Sequence, residues 1–239
     1  MTDAPRTDSD HPATLGTDVL PGAEPMSVTA GPTGVLCLHG FTGSPDSMRP
    51  IAQAMAAAGH SVELPRLPGH GTTVEDMITT GWADWTAHVD DTYQQLAART
   101  ERVIVVGLSM GGTLTLWLAA RHPELAGIVP INASVLHDAD TRDGIQAFVD
   151  SGAEVMDAIG GDIAKPGVIE VAYDQTPLRP LLSLYDGIIE LNERLGDIKM
   201  PSLIITSEND HVVPPASSDR IAAAVAGPVD RLILTESFH

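Results

Sequence analysis

The 239-residue sequence contains a single cysteine, Cys37. One cysteine cannot form an internal disulfide, and it cannot supply the several thiolates of a structural zinc or iron–sulfur site. The sequence also lacks an HExxH motif or a comparable spacing of metal ligands. We therefore predict no metal and no cofactor.

Basic residues are scarce. The chain has 13 lysines and arginines, of which only Lys165 and Lys199 are lysines, against 32 acidic residues, and its formal net charge is −19. A surface of this sign repels nucleic-acid phosphates and anionic lipid headgroups. We predict no nucleic-acid partner and no electrostatic docking on membranes.

Long apolar runs are missing as well. No segment approaches the ~18 uninterrupted apolar residues that a membrane-spanning helix needs. The N-terminal MTDAPRTDS lacks the basic and apolar regions of a signal peptide. The sequence therefore predicts a cytoplasmic protein without stable membrane insertion, and it leaves the oligomeric state open.

Short apolar runs alternate with amphipathic segments from Gly34 onward. The runs that we predict to be strands are residues 35–38, 103–106, 127–131, 203–205 and 232–234. Strands that are apolar on both faces are typical of a parallel sheet covered on both sides. The alternation with helical segments predicts an α/β fold with a mostly parallel, doubly wound sheet.

Two stretches depart from this alternation. Residues 1–31 are rich in proline and acidic side chains, and we interpret them as a flexible or surface-packed tail that precedes the main domain at 32–239. Residues 135–199 contain no strand-like run, which favours an inserted helical cap over a loop. Such a cap is expected at the carboxyl ends of the strands, where α/β folds bind ligands.

A G-x-S-x-G motif is centred on Ser109. The β-branched run VIVV leads directly into Gly107, and an apolar helical segment follows Gly111. A strand, a sharp turn and a helix are the context that exposes a nucleophilic serine, whose flanking glycines relieve crowding in the turn. We predict that Ser109 is a catalytic nucleophile rather than a serine in an ordinary turn.

A serine nucleophile needs a base and a group that orients the base, and in this architecture the acid and then the histidine follow the serine along the chain. The predicted strand at 203–205 is followed by Glu208 and Asp210, and the last predicted strand is followed by His239. We predict Asp210 as the orienting acid, with Glu208 as the alternative, and His239 as the general base. For His39 and His70, which lie in glycine-flanked loops, we favour hydrogen-bonded structural roles.

The developing oxyanion of acyl transfer needs hydrogen-bond donors. One is expected to be the backbone N–H after the nucleophile, which belongs to Met110. The segment HGFTG after the first predicted strand leaves the backbone open, and the N–H of Phe41 is the natural second donor. The ring of Phe41 either walls the acyl pocket or packs in the core.

Four motifs together resemble one known family, and they are HGFTGSP (39–45), LPGHG (67–71), GLSMGG (107–112) and ENDHVVPP (208–215). They resemble the α/β-hydrolase carboxylesterases of bacteria, in particular the monoacylglycerol lipases and related thermostable carboxylesterases. The cap runs AIGGDI (158–163) and VAYDQTP (171–177) are similar too, and the likeness covers about residues 20–239. The resemblance implies the triad Ser109, Asp210 and His239 with the oxyanion donors Phe41 and Met110.

The resemblance also implies a helical lid over a tunnel for one fatty-acyl chain. It further implies that Glu170 receives the glycerol hydroxyls and that Ile159 lines the same pocket, whereas a solvated surface charge is the alternative for Glu170. Members of that family continue beyond the histidine into a final helix, but this sequence ends at His239, so the sequence is truncated or the helix is absent. Without that helix, one face of the sheet is expected to be bare.

The predicted activity is hydrolysis of a carboxylic ester, with a monoacylglycerol as the favoured substrate and an acyl-serine intermediate. The alternatives are a general short-to-medium-chain carboxylesterase or thioesterase, because specificity depends on the cap. A different class is a hydrolase-fold module that binds a small apolar ligand without turnover.

Overall fold

The computed structural model describes residues 18–158 and 161–239. Its strands, in chain order, are β1 (Met26–Val28), β2 (Thr33–Leu38), β3 (Ser61–Leu64), β4 (Arg102–Leu108), β5 (Gly127–Ile131), β6 (Val155–Asp157), β7 (Gln175–Pro177), β8 (Ser202–Ser207) and β9 (Val229–Leu234). Its α-helices are α1 (Arg49–Ala57), α2 (Val74–Ile78), α3 (Trp82–Ala97), α4 (Met110–Ala119), α5 (Ala139–Asp150), α6 (Leu178–Asn192) and α7 (Ala216–Ala224). Short 3-10 helices span Pro45–Met48 and Leu195–Asp197.

The main sheet is mostly parallel. Within the described residues it has seven strands in the order β1-β3-β2-β4-β5-β8-β9. Strand β1 pairs antiparallel with β3, and the other neighbours pair in parallel. The carboxyl ends of β4 and β8 therefore lie at the same end of the sheet, so residues that follow these strands come together although they are distant in sequence.

Alternate side chains of β2 enter two different apolar cores. Leu36 and Leu38 join the core that contains Trp85 of α3, whereas Val35 and Cys37 join the core beneath Ala52 of α1. Successive residues of a strand point to opposite faces, so an unbroken apolar run needs cover on both sides. The predicted α/β architecture with its doubly covered central strands is confirmed.

An apolar cavity lies against the main sheet. Val106, Val129 and Ile131 line an apolar cavity of about 310 Å³. On the edge strand β9, Leu232 and Ile233 are each 46% exposed. Because successive residues of a strand point to opposite faces, this exposure reflects the edge position of β9, and the bare face expected from the sequence stays a prediction.

Four short strands were not predicted. Strand β3 contains Glu63 and so forms no unbroken apolar run. Strand β1 lies in the segment predicted to be a tail, and the loop before it is also held, because the N–H of Leu20 donates to the Gly71 carbonyl at 2.9 Å. Strands β6 and β7 form a separate antiparallel sheet inside the stretch predicted to lack strands. Strands of three residues are too short to leave a clear alternation in the sequence. The segment 1–17 lies outside the described residues, and the domain limits 1–31, 32–239 and 135–199 stay predictions.

Candidate active site

Ser109 occupies the turn between β4 and α4. Its backbone has φ 56° and ψ −121°, a positive φ that is uncommon for a residue with a Cβ. The hydrogen bond from its N–H to the Ile131 carbonyl, at 2.9 Å, ties the turn to the neighbouring strand. The predicted strand, sharp turn and helix are confirmed, and Ser109 sits at the N-terminal end of α4.

Close backbone approach explains the glycines around Ser109. A Cβ on Gly107 would overlap the carbonyl oxygen of Gly111, and a Cβ on Gly111 would overlap that of Leu38. Any larger residue at either position would push α4 away from the sheet. The spacing of the motif therefore follows from the packing of this turn.

Asp210 and His239 form a hydrogen-bonded pair. Asp210 Oδ2 lies 2.8 Å from His239 Nδ1, and the Asp210 side chain is 1% exposed. Its Oδ1 accepts hydrogen bonds from the N–H groups of Val212 and Val213 at 2.8 and 2.7 Å. Glu208, the alternative acid, is exposed to solvent. The structure therefore brings Asp210, and not Glu208, to the histidine.

The pairing with Asp210 fixes which nitrogen of His239 can act as a base. The Nδ1 atom faces a carboxylate, which can only accept, so Nδ1 carries the proton in the neutral ring. The Nε2 atom is then the lone-pair nitrogen. This arrangement can remove a proton from a hydroxyl and stabilise the imidazolium that results.

The segment with Phe41 lies beside the serine. A Cβ on Gly40 would lie 3.4 Å from Ser109 Cβ and 3.9 Å from Ser109 Oγ, so the backbone that leads into Phe41 runs next to the hydroxyl. Met110 is the first residue of α4, where backbone N–H groups have no acceptor within the helix and the helix dipole favours negative charge. Both predicted donor residues thus lie adjacent to Ser109.

His39 and His70 support these loops. His39 is fully buried, its Nδ1 lies 3.0 Å from the Gly40 carbonyl oxygen, and its Nε2 accepts from the N–H of Leu67 at 3.1 Å. Burial lowers the pKa of His39 well below its usual value, and burial lowers that of His70 to about 4. Neutral rings that bond to backbone groups match the structural roles predicted for both.

Cap residues meet the same loops. Glu170 is half-buried, and its Oε1 lies 2.9 Å from the position a Cβ on Gly43 would take. Burial raises the pKa of Glu170, and the charge of His239 opposes this shift. Glu170 is therefore not a fully solvated surface charge, which was the alternative considered from the sequence. Ile159, the other predicted binding residue, lies outside the described residues.

Tyr173 and Asn132 are site residues that sequence reasoning missed. The Tyr173 hydroxyl donates to the Gly69 carbonyl at 2.8 Å, and the Tyr173 backbone N–H donates to the Thr42 carbonyl at 3.0 Å. These two bonds connect the cap to the loop that contains Gly69 and to the loop that contains Thr42. Asn132, at the end of β5, accepts from the N–H of Ser207 at 2.8 Å and donates to its hydroxyl at 3.0 Å. The position of Asn132 directly after an apolar strand was the available signal.

Within residues 18–158 and 161–239, no group of three or more histidine, cysteine, aspartate or glutamate side chains is arranged to hold a metal ion. Over the same residues, no helix combines the length and apolar character needed to cross a membrane.

Comparison with known proteins identifies the fold family. A sequence model described as the alpha/beta hydrolase family matches residues 35–235. The chain belongs to the alpha/beta hydrolase family. This member is 47% identical over 225 residues to the thermostable monoacylglycerol lipase of Bacillus sp. (strain H-257), an alignment that covers 92% of this chain and 88% of the relative. It is 28% identical over 202 residues to a carboxylesterase of Bacillus subtilis (strain 168), covering 83% and 80%.

Solved structures share this fold. A structure from work on LipS and LipT, two metagenome-derived lipolytic enzymes, is 41% identical with a TM-score of 0.89 and covers 93% of this chain and 91% of its own. The monoacylglycerol lipase of Paleococcus ferrophilus superposes with a TM-score of 0.77 at 15% identity, over 90% of each chain. The second comparison shows that the fold persists where little sequence similarity remains.

Proposed function

We propose that this alpha/beta hydrolase cleaves carboxylic esters, with monoacylglycerols as the preferred substrates and a fatty acid and glycerol as the products. The observation that carries the proposal is the hydrogen bond between buried Asp210 and His239, at the end of the sheet where Ser109 lies in its strained turn. Acyl transfer to serine requires an acid, a base and a hydroxyl, and Asp210, His239 and Ser109 are the proposed groups.

In the proposed reaction, Ser109 Oγ attacks the ester carbonyl while His239 Nε2 takes its proton. Asp210 holds the ring and stabilises the imidazolium. The backbone N–H groups of Phe41 and Met110 donate to the tetrahedral oxyanion. The imidazolium then protonates the leaving alcohol, and water, activated by the same histidine, releases the acid from the acyl-serine.

The proposed alcohol is small and polyhydroxylic. Glu170 of the cap lies beside Gly43, which belongs to the loop that contains Phe41, and its charge interacts with that of His239. This position supports the proposal that its carboxylate accepts a hydrogen bond from a glycerol hydroxyl. Ile159 is proposed to line the same pocket. Support for the monoacylglycerol substrate comes from the 47% identical relative, which is named a monoacylglycerol lipase.

The test is fatty-acid release from a monoacylglycerol by the wild-type chain and by Ser109→Ala. Wild-type release, together with loss of release from a folded Ser109→Ala variant, is the expected result. Activity retained in Ser109→Ala would refute the mechanism.

Short-chain esters, thioesters and an active-site phosphonate, assayed in parallel, separate the alternatives. Turnover of the short-chain or thioester substrates alone would replace the proposed substrate. Absence of turnover and of phosphonate labelling would indicate a binding module. The predicted cytoplasmic location is tested separately, by fractionation of cells that produce the protein.

A further inference from the structure

Asp162 lies in the cap, and its carboxylate contacts both the loop that follows Asp210 and the segment that carries His239. Its side chain is 14% exposed. Its Oδ2 accepts from the backbone N–H groups of His211 and His239, each at 3.1 Å. Its Oδ1 lies 2.9 Å from His211 Nδ1. One carboxylate of the cap therefore contacts the neighbour of Asp210 and the backbone of His239 itself.

The peptide group between Phe238 and His239 is held at both ends. Its N–H donates to Asp162, and its carbonyl accepts from Asn132 Nδ2 at 3.4 Å. The ring of His211 also packs edge-on against Phe238, with the ring centroids 4.9 Å apart. The cap thus holds one side of this peptide, and the end of β5 holds the other.

A cavity lies between the cap and the segment that carries His239. A cavity of about 300 Å³ separates residues 163–165 of the cap from residues 236–239. The bond from His239 N–H to Asp162 bridges the two segments beside this cavity.

The Asp162 carboxylate is stabilised in its ionised form. Burial alone raises its pKa, but the hydrogen bonds from His211 and from the N–H of His239 outweigh burial, so the pKa lies below its usual value. An ionised acceptor forms stronger hydrogen bonds with N–H groups than a neutral one.

We propose that Asp162 is a positioning residue through which the cap sets the place of the histidine base, an inference that rests on the proposed function. Asp162 acts through His239 and is not assigned a contact with the ester. Its loss is therefore expected to change kcat and to leave KM largely unchanged.

The experiment compares Asp162→Ala, Asp162→Asn and the control Asp157→Ala, which removes an exposed carboxylate of β6 in the same cap. Asp162→Ala is expected to lower kcat about 10- to 100-fold, since small misplacements of a catalytic group have effects of this size. Asp162→Asn keeps one oxygen for both backbone N–H groups, and its amide can donate to a neutral His211 ring, so it should retain most of kcat. Asp157→Ala should behave as wild type.

A second measurement does not depend on turnover. The proton that His239 Nδ1 shares with Asp210 is followed by NMR in the wild type, in Asp162→Asn and in Asp162→Ala, and the signal is expected to weaken in the alanine variant alone. If that variant does not fold, Asp162→Ser, whose shorter side chain cannot span the same distance, takes its place with the same expectation.

Unchanged kcat in the alanine variant, equal losses in the alanine and asparagine variants, or a change confined to KM would each overturn the assignment. A wild type that hydrolyses no ester would refute the proposed function instead. In that case the NMR signal alone decides whether Asp162 positions His239, and an undisturbed signal in the alanine variant would overturn the inference.

Discussion

The turn that carries Ser109 and the segment that carries His239 are built in different ways. The turn at Ser109 depends on its own neighbours in sequence, since Gly107 and Gly111 permit close contacts with α4 and β2 that no Cβ would allow. His239 is fixed by side chains that lie 29 and 77 positions away in sequence, Asp210 and Asp162. The nucleophile is thus specified locally, whereas the base is specified by the assembled fold.

This difference has a consequence for mutational sensitivity. A change at the serine turn disturbs backbone packing, and it should be visible as lost stability. A change among the partners of the histidine leaves most of the packing in place, and it should be visible first as lost rate. The predictions below test this division.

The largest effect is expected from Asp210→Asn. The amide can present an N–H to His239 Nδ1, which would move the ring proton to Nε2 and remove the base. By this reasoning kcat should fall about 10⁴-fold, with little change in the melting temperature. Steady-state kinetics and thermal unfolding measure the two effects. Glu208→Gln is the matched control, and an equal loss there would contradict the choice of acid.

A large loss of stability is expected from Gly111→Ala. The added Cβ would overlap the Leu38 carbonyl oxygen, and the resulting shift of α4 should lower the free energy of unfolding by about 2–4 kcal/mol. Urea denaturation measures the change. Gly144→Ala is the control, because a Cβ there meets nothing within 4 Å on helix α5, and it should be neutral or stabilise by up to about 1 kcal/mol. Similar losses in both variants would contradict the packing argument.

The smallest effect concerns Glu170, which lies between the Phe41 loop and His239. Burial raises its pKa, so the folded state holds this proton more tightly than the unfolded state. The protonated Glu170 side chain therefore contributes to the stability of the folded state at low pH, and this contribution is lost as the pH rises through the raised pKa. Glu170→Gln cannot ionise, so its melting temperature relative to wild type should increase from pH 4 to pH 8. A difference that is independent of pH, or that decreases over this range, would count against burial as the cause.

Sequence patterns identified the features that depend on contiguous residues. The doubly apolar run of β2 and the turn at Ser109 were predictable because the residues that fix them are adjacent in the chain. The sequence predicted Asp210 with Glu208 as the alternative, because both follow the same strand, and the path of the loop then brings Asp210 to His239.

Other features had no local signal. Strands β6 and β7 have three residues each, which is too few for alternation to show. Asp162 is one of 32 acidic residues, and nothing in its neighbourhood separates it from a solvated charge. Its contacts with His211 and His239 cross 49 and 77 positions of sequence, so they become visible only when the cap is placed on the sheet.

The buried Cys37 also leaves the cap open to site-specific labelling. Burial in β2 raises the pKa of this thiol to about 12, so its thiolate form is scarce at neutral pH and thiol reagents react with it slowly. A cysteine introduced at the 58% exposed Phe148 of α5 would then be the reactive thiol. A fluorophore attached there would report on the surroundings of the cap without removal of the native cysteine.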